Sequence, residues 1–457
     1  METVATDFIS EMEIEMRYGL LGEKLGHSFS PVLHAQMGKS DYGLIPVSKE
    51  EVDAFLDKAD FDGINVTIPY KEVAMKHCKP DEIATDIGCV NTLLNKGDEI
   101  LGFNTDCLGF AYIAKSIGTD WKDKKVVILG SGGTSKTATY VALKSGAKSV
   151  TIVSRKKPEK EEDRINKPEY ATGEQVVYKS DYASAKEWQD AKILVNTTPV
   201  GMYPNNDATP IDLDVFEGLE AVIDVIYNPL ETYLVMNAKK KGIPATCGLA
   251  MLIAQGWYAE EIWKHADELD KVDLKIDSKL SKEAFEEIER VVKIVRNQKE
   301  NIVLIGMPGS GKTTLGKLLR DKLGRKFIDT DDEFTVKYGM KAGDYITQYG
   351  VAEFREKESI VVKEAAKESG VIIATGGGAV LREDNREALR QNGVVVLLNQ
   401  ELEKLATEGR PLSAGDGLKK LYEERMPIYN AFKDVALDVV LDDFYANVDK
   451  CLELIGM

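Results

Sequence analysis

Short apolar runs separated by amphipathic segments recur along most of the chain. Residues 125–227 carry a first series of short β-branched runs, and the earlier runs alternate with apolar positions at helical spacing. A second series begins at residue 301. Strands that alternate with helices are typical of parallel sheets with crossover connections, so the pattern predicts an α/β fold. The predicted strands lie at residues 125–130, 149–154, 192–197, 221–227, 301–306, 326–331, 370–378 and 393–399.

The segment between the two series, residues 267–301, is rich in charge and lacks Gly and Pro. Its apolar positions repeat at roughly helical spacing, which predicts a helix and then a short connector, with a boundary near residue 297. These positions are Phe285, Ile288, Val291, Val292 and Ile294. We therefore expect a first unit ending near residue 290, a linker at 291–299 and a last domain at 300–457.

Composition narrows the class of protein. The 457 residues suggest about three domains at roughly 150 residues each, and the chain contains no apolar run near the roughly 20 residues that span a bilayer. The first residues lack the regions of a signal peptide, so we expect a cytoplasmic protein. A net charge of −17 argues against binding to nucleic acid or acidic membranes, and the five cysteines, none in a C-x-x-C pair, are expected as free thiols.

The second series opens on a complete phosphate-binding loop, "GMPGSGKTT". It follows a predicted strand and precedes a helical pattern, as this motif requires. Its glycines turn backbone N–H groups toward phosphate oxygens, Lys312 reaches the β and γ phosphates, and the Thr313 hydroxyl suits magnesium. The predicted ATP-binding residues are Gly306, Gly309, Ser310, Gly311, Lys312, Thr313 and Thr314, joined by Arg410 further on.

Later motifs of this domain indicate the acceptor. Asp329 and Asp331 follow a strand two positions apart, so we expect both side chains on one face, serving a metal and an acceptor hydroxyl. Then come "EFREKE", "TGGGA", "GRPL" and "ERMPIY". A planar guanidinium suits a carboxylate better than an ammonium does, which gives the arginines in these motifs a physical role.

In that order, these motifs resemble shikimate kinase from residue 301 nearly to the end. The resemblance implies that Asp331 orients the attacking hydroxyl of shikimate and that Asp329 and Thr313 lie on the magnesium side. It also implies a mobile lid in which Arg410 closes over the phosphates with Lys312, although "LATEGRPL" is shorter than in many relatives. The remaining shikimate-binding residues would be Arg355, Gly376, Gly377, Gly378 and Arg425.

The first unit carries a different set of motifs. "HSFSP", "NVTIPYK", "VNTL" and "NTD" follow one another before residue 107 and together resemble shikimate dehydrogenase over about residues 17–290. The resemblance implies that Lys71 and Asp106 are the catalytic pair. It further implies that shikimate is bound by Ser28, Ser30, Thr67, Lys71, Asn91, Asp106, Tyr227 and Gln255.

The implied pair suits hydride reduction of a ketone. Such reduction places negative charge on the oxygen, which a positioned ammonium stabilises and protonates. Asp106 would orient Lys71 and keep it charged, and in the oxidation direction Lys71 would act as the base. In "CGLAMLIAQG", Gly248 would lie near the nicotinamide, although the usual Asp and Gly of this family segment are replaced by Cys247 and Ala250.

The stretch "GSGGTSKTA" identifies the expected cofactor. A triphosphate loop needs Gly before Lys, but Ser135 stands there, whereas a small residue is accepted at that point of a dinucleotide loop. One strand later, "SRKK" replaces the acidic residue that binds NAD, which favours the 2′-phosphate of NADP. The predicted NADP-binding residues are Gly130, Ser131, Gly132, Gly133, Thr134, Ser135, Ser154, Arg155, Lys156, Thr197 and Gly248.

These resemblances imply a bifunctional enzyme of aromatic amino acid biosynthesis. A shikimate-binding domain at 1–105, completed by 246–290, and a Rossmann domain at 106–245 would reduce 3-dehydroshikimate with NADPH. The last domain would phosphorylate shikimate with ATP and Mg²⁺. Two alternatives stay open: one unit is catalytically silent and regulatory, or the first unit is a quinate/shikimate dehydrogenase. We expect small-molecule substrates, and either a monomer or a homodimer.

Overall fold

The computed structural model describes residues 17–26, 28–38, 41–156, 158–405, 416–440 and 443–457. Among these residues, no helix is both long enough and apolar enough to cross a bilayer. The chain forms two compact units. The first comprises residues 1–195, 218–220 and 250–292, and the second comprises 196–217, 221–249 and 293–457. These units are defined by compactness alone and do not test the predicted domain ranges. Those ranges therefore stay a prediction.

A mixed sheet begins the first unit. Its strands are β1 (Tyr18–Gly22), β2 (Gly43–Pro46), β3 (Gly63–Val66), β4 (Lys79–Pro80), β5 (Thr92–Asn95) and β6 (Ile100–Phe103). They lie in the order β2-β1-β3-β5-β6-β4, and β5 pairs antiparallel with both of its neighbours. The helices around it are α1 (Ser30–Gln36), α2 (Val52–Lys58), α3 (Lys71–Ala74), α4 (Glu82–Ile87) and α5 (Thr105–Ser116).

A second sheet follows. Its seven strands, numbered along the chain, lie side by side in the order β13-β12-β11-β7-β8-β10-β9. The strands are β7 (Lys125–Leu129), β8 (Ser149–Ser154), β9 (Ile165–Asn166), β10 (Val176–Asp181), β11 (Ile193–Asn196), β12 (Ala221–Asp224) and β13 (Ala245–Thr246). β8 pairs in parallel with β7 and β10, and the short β9 pairs antiparallel with β10. The helices are α6 (Gly133–Lys144), α7 (Tyr233–Lys240), α8 (Leu249–Lys264) and α9 (Lys282–Lys299).

The third sheet is parallel throughout, in the order β15-β16-β14-β17-β18. Its strands are β14 (Asn301–Ile305), β15 (Phe327–Asp329), β16 (Ile372–Ala374), β17 (Gly393–Asn399) and β18 (Val435–Asp438). The helices are α10 (Lys312–Leu323), α11 (Thr330–Tyr338), α12 (Ala342–Tyr349), α13 (Val351–Lys367), α14 (Glu383–Asn392), α15 (Asp416–Phe432) and α16 (Phe444–Ile455). The carboxyl ends of parallel strands share one edge, which is where ligands bind in such sheets.

Short 3₁₀ helices connect several of these elements. They span Met75–His77, Glu161–Arg164, Tyr182–Glu187, Leu213–Val215, Leu269–Lys271, Ala379–Leu381 and Leu402–Lys404. Buried aliphatic side chains from both faces of the third sheet form its core, with Val303 and Ile373 on one face and Leu304 and Val396 on the other.

All eight predicted strands are present, and the alternation of strands with helices confirms the α/β class. The predicted linker at 291–299 is not a separate connector. It is the C-terminal half of α9, which runs to Lys299, two residues before β14 begins. Val291 and Val295 are buried there, so the apolar stripe continues past the predicted boundary and keeps the segment helical. The five cysteines are free, and each is buried or partly buried, as predicted.

Candidate active sites

Lys71 and Asp106 form an ion pair in the first unit. Lys71 begins α3, Asp106 lies in the first turn of α5, and Nζ is 2.5 Å from Oδ2. Burial alone would lower the pKa of Lys71, but the charge of Asp106 and its hydrogen bond outweigh burial and raise that pKa. The pair therefore holds a charged ammonium in a partly enclosed place.

The Asn91 side chain links this ion pair to Gln255 of α8. Its Nδ2 lies 2.9 Å from Oδ1 of Asp106, 3.0 Å from the Thr105 hydroxyl and 3.3 Å from Oε1 of Gln255. Its Oδ1 accepts the backbone N–H of Thr105 at 2.7 Å. Four of the residues predicted from sequence, Lys71, Asn91, Asp106 and Gln255, thus form one hydrogen-bonded cluster.

The remaining predicted side chains of the first unit lie in two loops. Ser28 donates its hydroxyl proton to the Ser30 hydroxyl at 3.1 Å and accepts the Ser30 N–H at 3.2 Å, just where α1 begins. Thr67 follows β3, and its N–H donates to the carbonyl of Leu21 at 2.9 Å. The two serines therefore hold each other in place at the start of α1.

The glycine-rich loop after β7 leads directly into α6. Gly130 has φ of 101°, which favours glycine, and its N–H donates to the carbonyl of Val153 at 2.8 Å. A Cβ built on Gly132 or Gly133 would meet open space, so a ligand has room at the start of the helix. Ser135 is buried, which explains the need for a small residue there. The tip of Lys136 points away and pairs with Glu72 at 2.7 Å.

The cationic stretch lies beside that loop. β8 ends at Ser154 and pairs with β7, with Val153 opposite Leu129. The Ser154 hydroxyl donates to the carbonyl of Lys156 at 2.8 Å, and the side chains of Arg155 and Lys156 are exposed. Two cations thus follow the strand next to the glycine-rich loop, at the same edge of the sheet, as the NADP prediction requires.

In the second unit, Thr197 and Tyr227 lie in the loops that follow β11 and β12. A buried network supports both loops: Asn196 accepts from the Thr198 hydroxyl at 2.7 Å, and its amide donates to Asp224 at 3.1 Å. Asp224 also accepts the Thr232 hydroxyl at 2.8 Å, and burial raises its pKa to about 6.

Gly248 lies against the backbone beside Tyr227. A Cβ at this position would stand 2.0 Å from the carbonyl oxygen of Val225, so only glycine fits. The N–H of Gly248 donates to the carbonyl of Ile226 at 2.8 Å. The departures at Cys247 and Ala250 leave this close contact in place.

The phosphate loop of the second unit lies between β14 and α10. Gly306, Gly309 and Gly311 have φ of 144°, 87° and 90°. Each position therefore has a backbone conformation that favours glycine. Lys312 is buried, and its ammonium donates to the carbonyls of Gly306 and Met307 at 2.9 and 3.0 Å. The buried Ser310 hydroxyl has no partner among the described residues, so the loop offers a free polar atom as well.

The acidic pair is arranged differently from the prediction. β15 ends at Asp329 and α11 begins at Thr330, so Asp329 and Asp331 do not alternate along one strand. Asp329 instead caps the helix, because its Oδ1 accepts the N–H of Asp331 at 3.0 Å, while its Oδ2 accepts the Thr313 hydroxyl at 2.7 Å. A hydroxyl beside a carboxylate is an oxygen set that suits Mg²⁺.

The triple glycine packs against the charged residues predicted to bind shikimate. A Cβ on Gly376 would lie 2.7 Å from Oδ1 of Asp331, and one on Gly378 would lie 2.0 Å from a guanidinium nitrogen of Arg355. Arg425 is buried, and its Nε has no hydrogen-bond partner in the described ranges. A buried guanidinium with an unpaired Nε beside these glycines suits a carboxylate ligand. Burial, then the charge of Asp329, raises the pKa of Asp331.

Sequence analysis missed several supporting residues. Glu358, three positions after Arg355, is buried and holds the Arg355 guanidinium at 2.5 Å. Thr105 bonds to Asn91, and Asp224 bonds to Asn196 and Thr232 below the loops that carry Thr197 and Tyr227. The "NTD" motif could have indicated Thr105, but only the fold reveals the burial of Glu358 and the place of Asp224. The predicted lid residue Arg410 lies outside the described residues.

Comparison with known proteins finds a family for each of the two parts of the chain. The family model described as the shikimate dehydrogenase substrate binding domain matches residues 20–93, and the model described as shikimate kinase matches residues 308–455. An NADP(+) shikimate dehydrogenase of Clostridium beijerinckii is 34% identical over 287 residues, which is 60% of this chain and 99% of that protein. One from Methanosphaera stadtmanae is 35% identical over 54% of this chain and 90% of its own length.

Solved structures give the same result for the first part of the chain. A chorismate mutase/shikimate 5-dehydrogenase fusion protein from Clostridium acetobutylicum matches with a TM-score of 0.51 and 31% identity, over 61% of this chain and 96% of that one. A shikimate dehydrogenase in complex with NADP⁺ matches with a TM-score of 0.50 and 30% identity, over 61% and 94%. These matches confirm both resemblances: the chain belongs to the shikimate dehydrogenase family and continues into a shikimate kinase domain.

Proposed function

We propose that Lys71 and Asp106 carry out the reduction of 3-dehydroshikimate and that the phosphate loop, Asp331 and Arg355 carry out the phosphorylation of the resulting shikimate. The confirmed assignment is that of a bifunctional enzyme, an NADP-dependent oxidoreductase joined to an ATP-using kinase. The roles of individual residues are our proposal.

In the reduction, NADPH supplies the hydride when it is bound. Lys71 faces the substrate oxygen that gains negative charge, stabilises it and gives it a proton, which leaves an amine beside Asp106. Asn91 and Gln255 hold Asp106 and the hydroxyls of the substrate. Ser28, Ser30, Thr67 and Tyr227 complete the binding site.

The predicted cofactor residues fall into two groups. In the first unit, the N–H groups at the start of α6 face the pyrophosphate, and Arg155 and Lys156 face the 2′-phosphate. In the second unit, Thr197 and Gly248 serve the nicotinamide side. The open space above Gly132 and Gly133 and the exposed cations after β8 support this assignment.

In the phosphorylation, ATP with Mg²⁺ supplies the phosphoryl group when bound. Lys312 neutralises the moving charge, and Thr313 and Asp329 would hold the metal. Asp331 orients the attacking hydroxyl and accepts its proton. Its raised pKa suits a base that must release that proton afterwards. Arg355 and Arg425 would bind the carboxylate, and Arg410 would cover the phosphates.

The proposal also includes the predicted domain ranges, 1–105 with 246–290, 106–245 and 300–457. We further propose a cytoplasmic enzyme that is a monomer or a homodimer. The observation that carries the catalytic assignment is the Lys71–Asp106 contact of 2.5 Å within a cluster that also holds Asn91 and Gln255.

A single incubation tests this function. The purified chain, given 3-dehydroshikimate, NADPH and Mg-ATP, should form shikimate 3-phosphate, detected by mass spectrometry. Lys71→Ala should abolish shikimate-dependent NADP⁺ reduction and leave the kinase rate near normal, and Lys312→Ala should do the reverse.

Three outcomes would contradict the proposal. Loss of both activities in a folded single variant would contradict two separate sites. Absence of one activity in the wild-type chain, with its substrate still bound, would indicate a silent regulatory unit. Faster oxidation of quinate with NAD⁺ than of shikimate with NADP⁺ would reassign the first reaction.

A further inference from the structure

The C-terminal end of α14, in the kinase domain, contacts two loops of the proposed NADP-binding domain. The Asn206 amide donates to Oε1 of Gln391 at 2.8 Å, and the Gln391 amide donates back to the carbonyl of Asn206 at 2.8 Å. Asn392 accepts the N–H of Leu230 at 2.9 Å, and the carbonyl of Gln391 accepts the N–H of Glu231 at 2.9 Å. All of these residues belong to the second compact unit. We call this set of contacts the α14 joint.

The α14 joint is buried and specific. Asn206, Gln391 and Asn392 are each at most 3% exposed. Both polar atoms of the Gln391 side chain are paired with Asn206, whereas Oδ1 of Asn206 has no partner among the described residues. Buried amide groups are costly unless they are paired, so these two bonds fix Gln391 against the loop of Asn206. The rim is an ordinary exposed ion pair between Lys240 and Glu387 at 2.6 Å, which contributes little.

The two loops held by the α14 joint carry one proposed cofactor residue, Thr197, and one proposed substrate residue, Tyr227. One loop runs from Thr197, after β11, to Asn206, and the other runs from Tyr227, after β12, to Glu231. The loops also contact one another, because the N–H of Tyr203 donates to the carbonyl of Asn228 at 3.0 Å. At their other ends, Asn196 and Asp224 hold them through the buried network described above.

We propose that Gln391 and Asn392 of the kinase domain are positioning residues for the dehydrogenase reaction, because they hold the loop that carries Thr197 at the cofactor and the loop that carries Tyr227 at the substrate. The kinase domain thereby completes the cofactor site of the dehydrogenase without touching the cofactor. This inference rests on the proposed roles of Thr197 and Tyr227.

The test compares NADPH affinity in full-length variants, measured through the fluorescence of the reduced nicotinamide. Gln391→Ala removes both bonds of the pair and should weaken NADPH binding by about tenfold, as expected for the loss of a buried hydrogen-bonded contact. Asn206→Ala removes only the bond from its own amide, because the other bond ends on the Asn206 backbone carbonyl, so it should weaken binding less. Since Gln391→Ala already removes that shared bond, the double variant should be no weaker than Gln391→Ala. ATP affinity and kinase turnover should stay at wild-type values.

Gln348→Ala is the matched control, since Gln348 is an exposed glutamine of the same domain on α12. It should leave both affinities unchanged. The inference is overturned if NADPH affinity in both joint variants stays within about twofold of wild type, or if the two losses add up. It is also overturned if kinase turnover falls in parallel or if both variants fail to fold. The α14 joint would then stabilise the fold in general and not the NADPH site in particular.

NADPH binding is read without turnover, so this result is independent of the catalytic assignment. A wild-type chain that binds NADPH but does not oxidise shikimate would contradict the proposed function alone. A chain that turns over normally but tolerates both joint variants would contradict the α14 joint alone.

Discussion

Lys71 is subject to two opposing electrostatic effects. Burial disfavours its ammonium, whereas Asp106 at 2.5 Å favours it, and the balance raises the pKa of Lys71. This suits reduction, in which the ammonium must give a proton. It makes oxidation of shikimate dependent on high pH, because the base form of Lys71 is then scarce at neutrality.

Replacing the carboxylate of Asp106 should shift the pH dependence of shikimate oxidation to lower pH. In Asp106→Asn the burial of Lys71 is no longer offset, so the pKa of Lys71 falls. The rate of shikimate oxidation, which requires neutral Lys71, should level off at a lower pH than in the wild type, although kcat itself falls. Profiles of kcat against pH from 7 to about 10.5 measure this. A plateau that stays in place or moves to higher pH would contradict the proposed electrostatic role.

At the same scale, motifs predicted candidate ligand-binding residues, whose roles stay a proposal. Lys312, Asp331 and Arg355 stand at fixed places in recognisable patterns, and the structure places Asp331 and Arg355 beside the triple glycine. Glu358 was missed because a glutamate on a charged helix is ordinary in sequence, and its meaning depends on burial beside Arg355. The sequence cannot show burial of one carboxylate among many.

At the scale of elements, the contact between α5 and α8 brings Gln255 to the catalytic pair. A Cβ on Gly109 of α5 would stand 2.5 Å from the carbonyl oxygen of Met251 and 3.1 Å from Cβ of Gln255. Glycine therefore permits a backbone approach that any side chain would prevent. The two helices then carry Asp106 and Gln255 to the same Asn91.

Gly109→Ala should separate these helices. Overpacking of this kind costs about 1–3 kcal/mol, and the shift should carry Gln255 away from Asn91. We expect a several-fold higher KM for shikimate in the dehydrogenase reaction, and inactivation of that reaction at lower temperature. Kinase activity of the same variant serves as the internal control. An unchanged KM together with unchanged heat resistance would refute the proposed close approach.

Eight strands of the second and third sheets were predictable because their apolar runs are strong, whereas none of the eight lies in the first sheet. Two details failed for local reasons. Asp329 acts as a helix cap, so the chain leaves the strand at the residue where alternation was assumed to continue. The segment 291–299 stays helical because Val291 and Val295 remain buried beyond the point where the sequence becomes polar.

At the scale of the whole molecule, the proposed sites would let an acidic chain bind anionic substrates through local cations and helix starts. A net charge of −17 gives no general attraction for phosphates, so each proposed site needs its own positive groups, such as Lys312 or Arg155. The α14 joint could not be predicted from sequence. Asn206, Gln391 and Asn392 belong to no motif and are separated by up to 186 positions along the chain.

The two reactions share shikimate, which is the product of the first and the substrate of the second. Linking the sites raises the local concentration of this intermediate but creates no new contact with it. If the two sites are separate, shikimate can leave one chain and enter another. An equimolar mixture of Lys71→Ala and Lys312→Ala chains should therefore convert 3-dehydroshikimate into shikimate 3-phosphate. The mixture should show a lag that shortens as the Lys71→Ala chain, which retains the kinase, is increased. Following NADPH oxidation and phosphorylated product together over time measures that lag. If each variant keeps its own activity but the mixture makes no product, shikimate does not pass through solution, and the intermediate must be handed over within one chain.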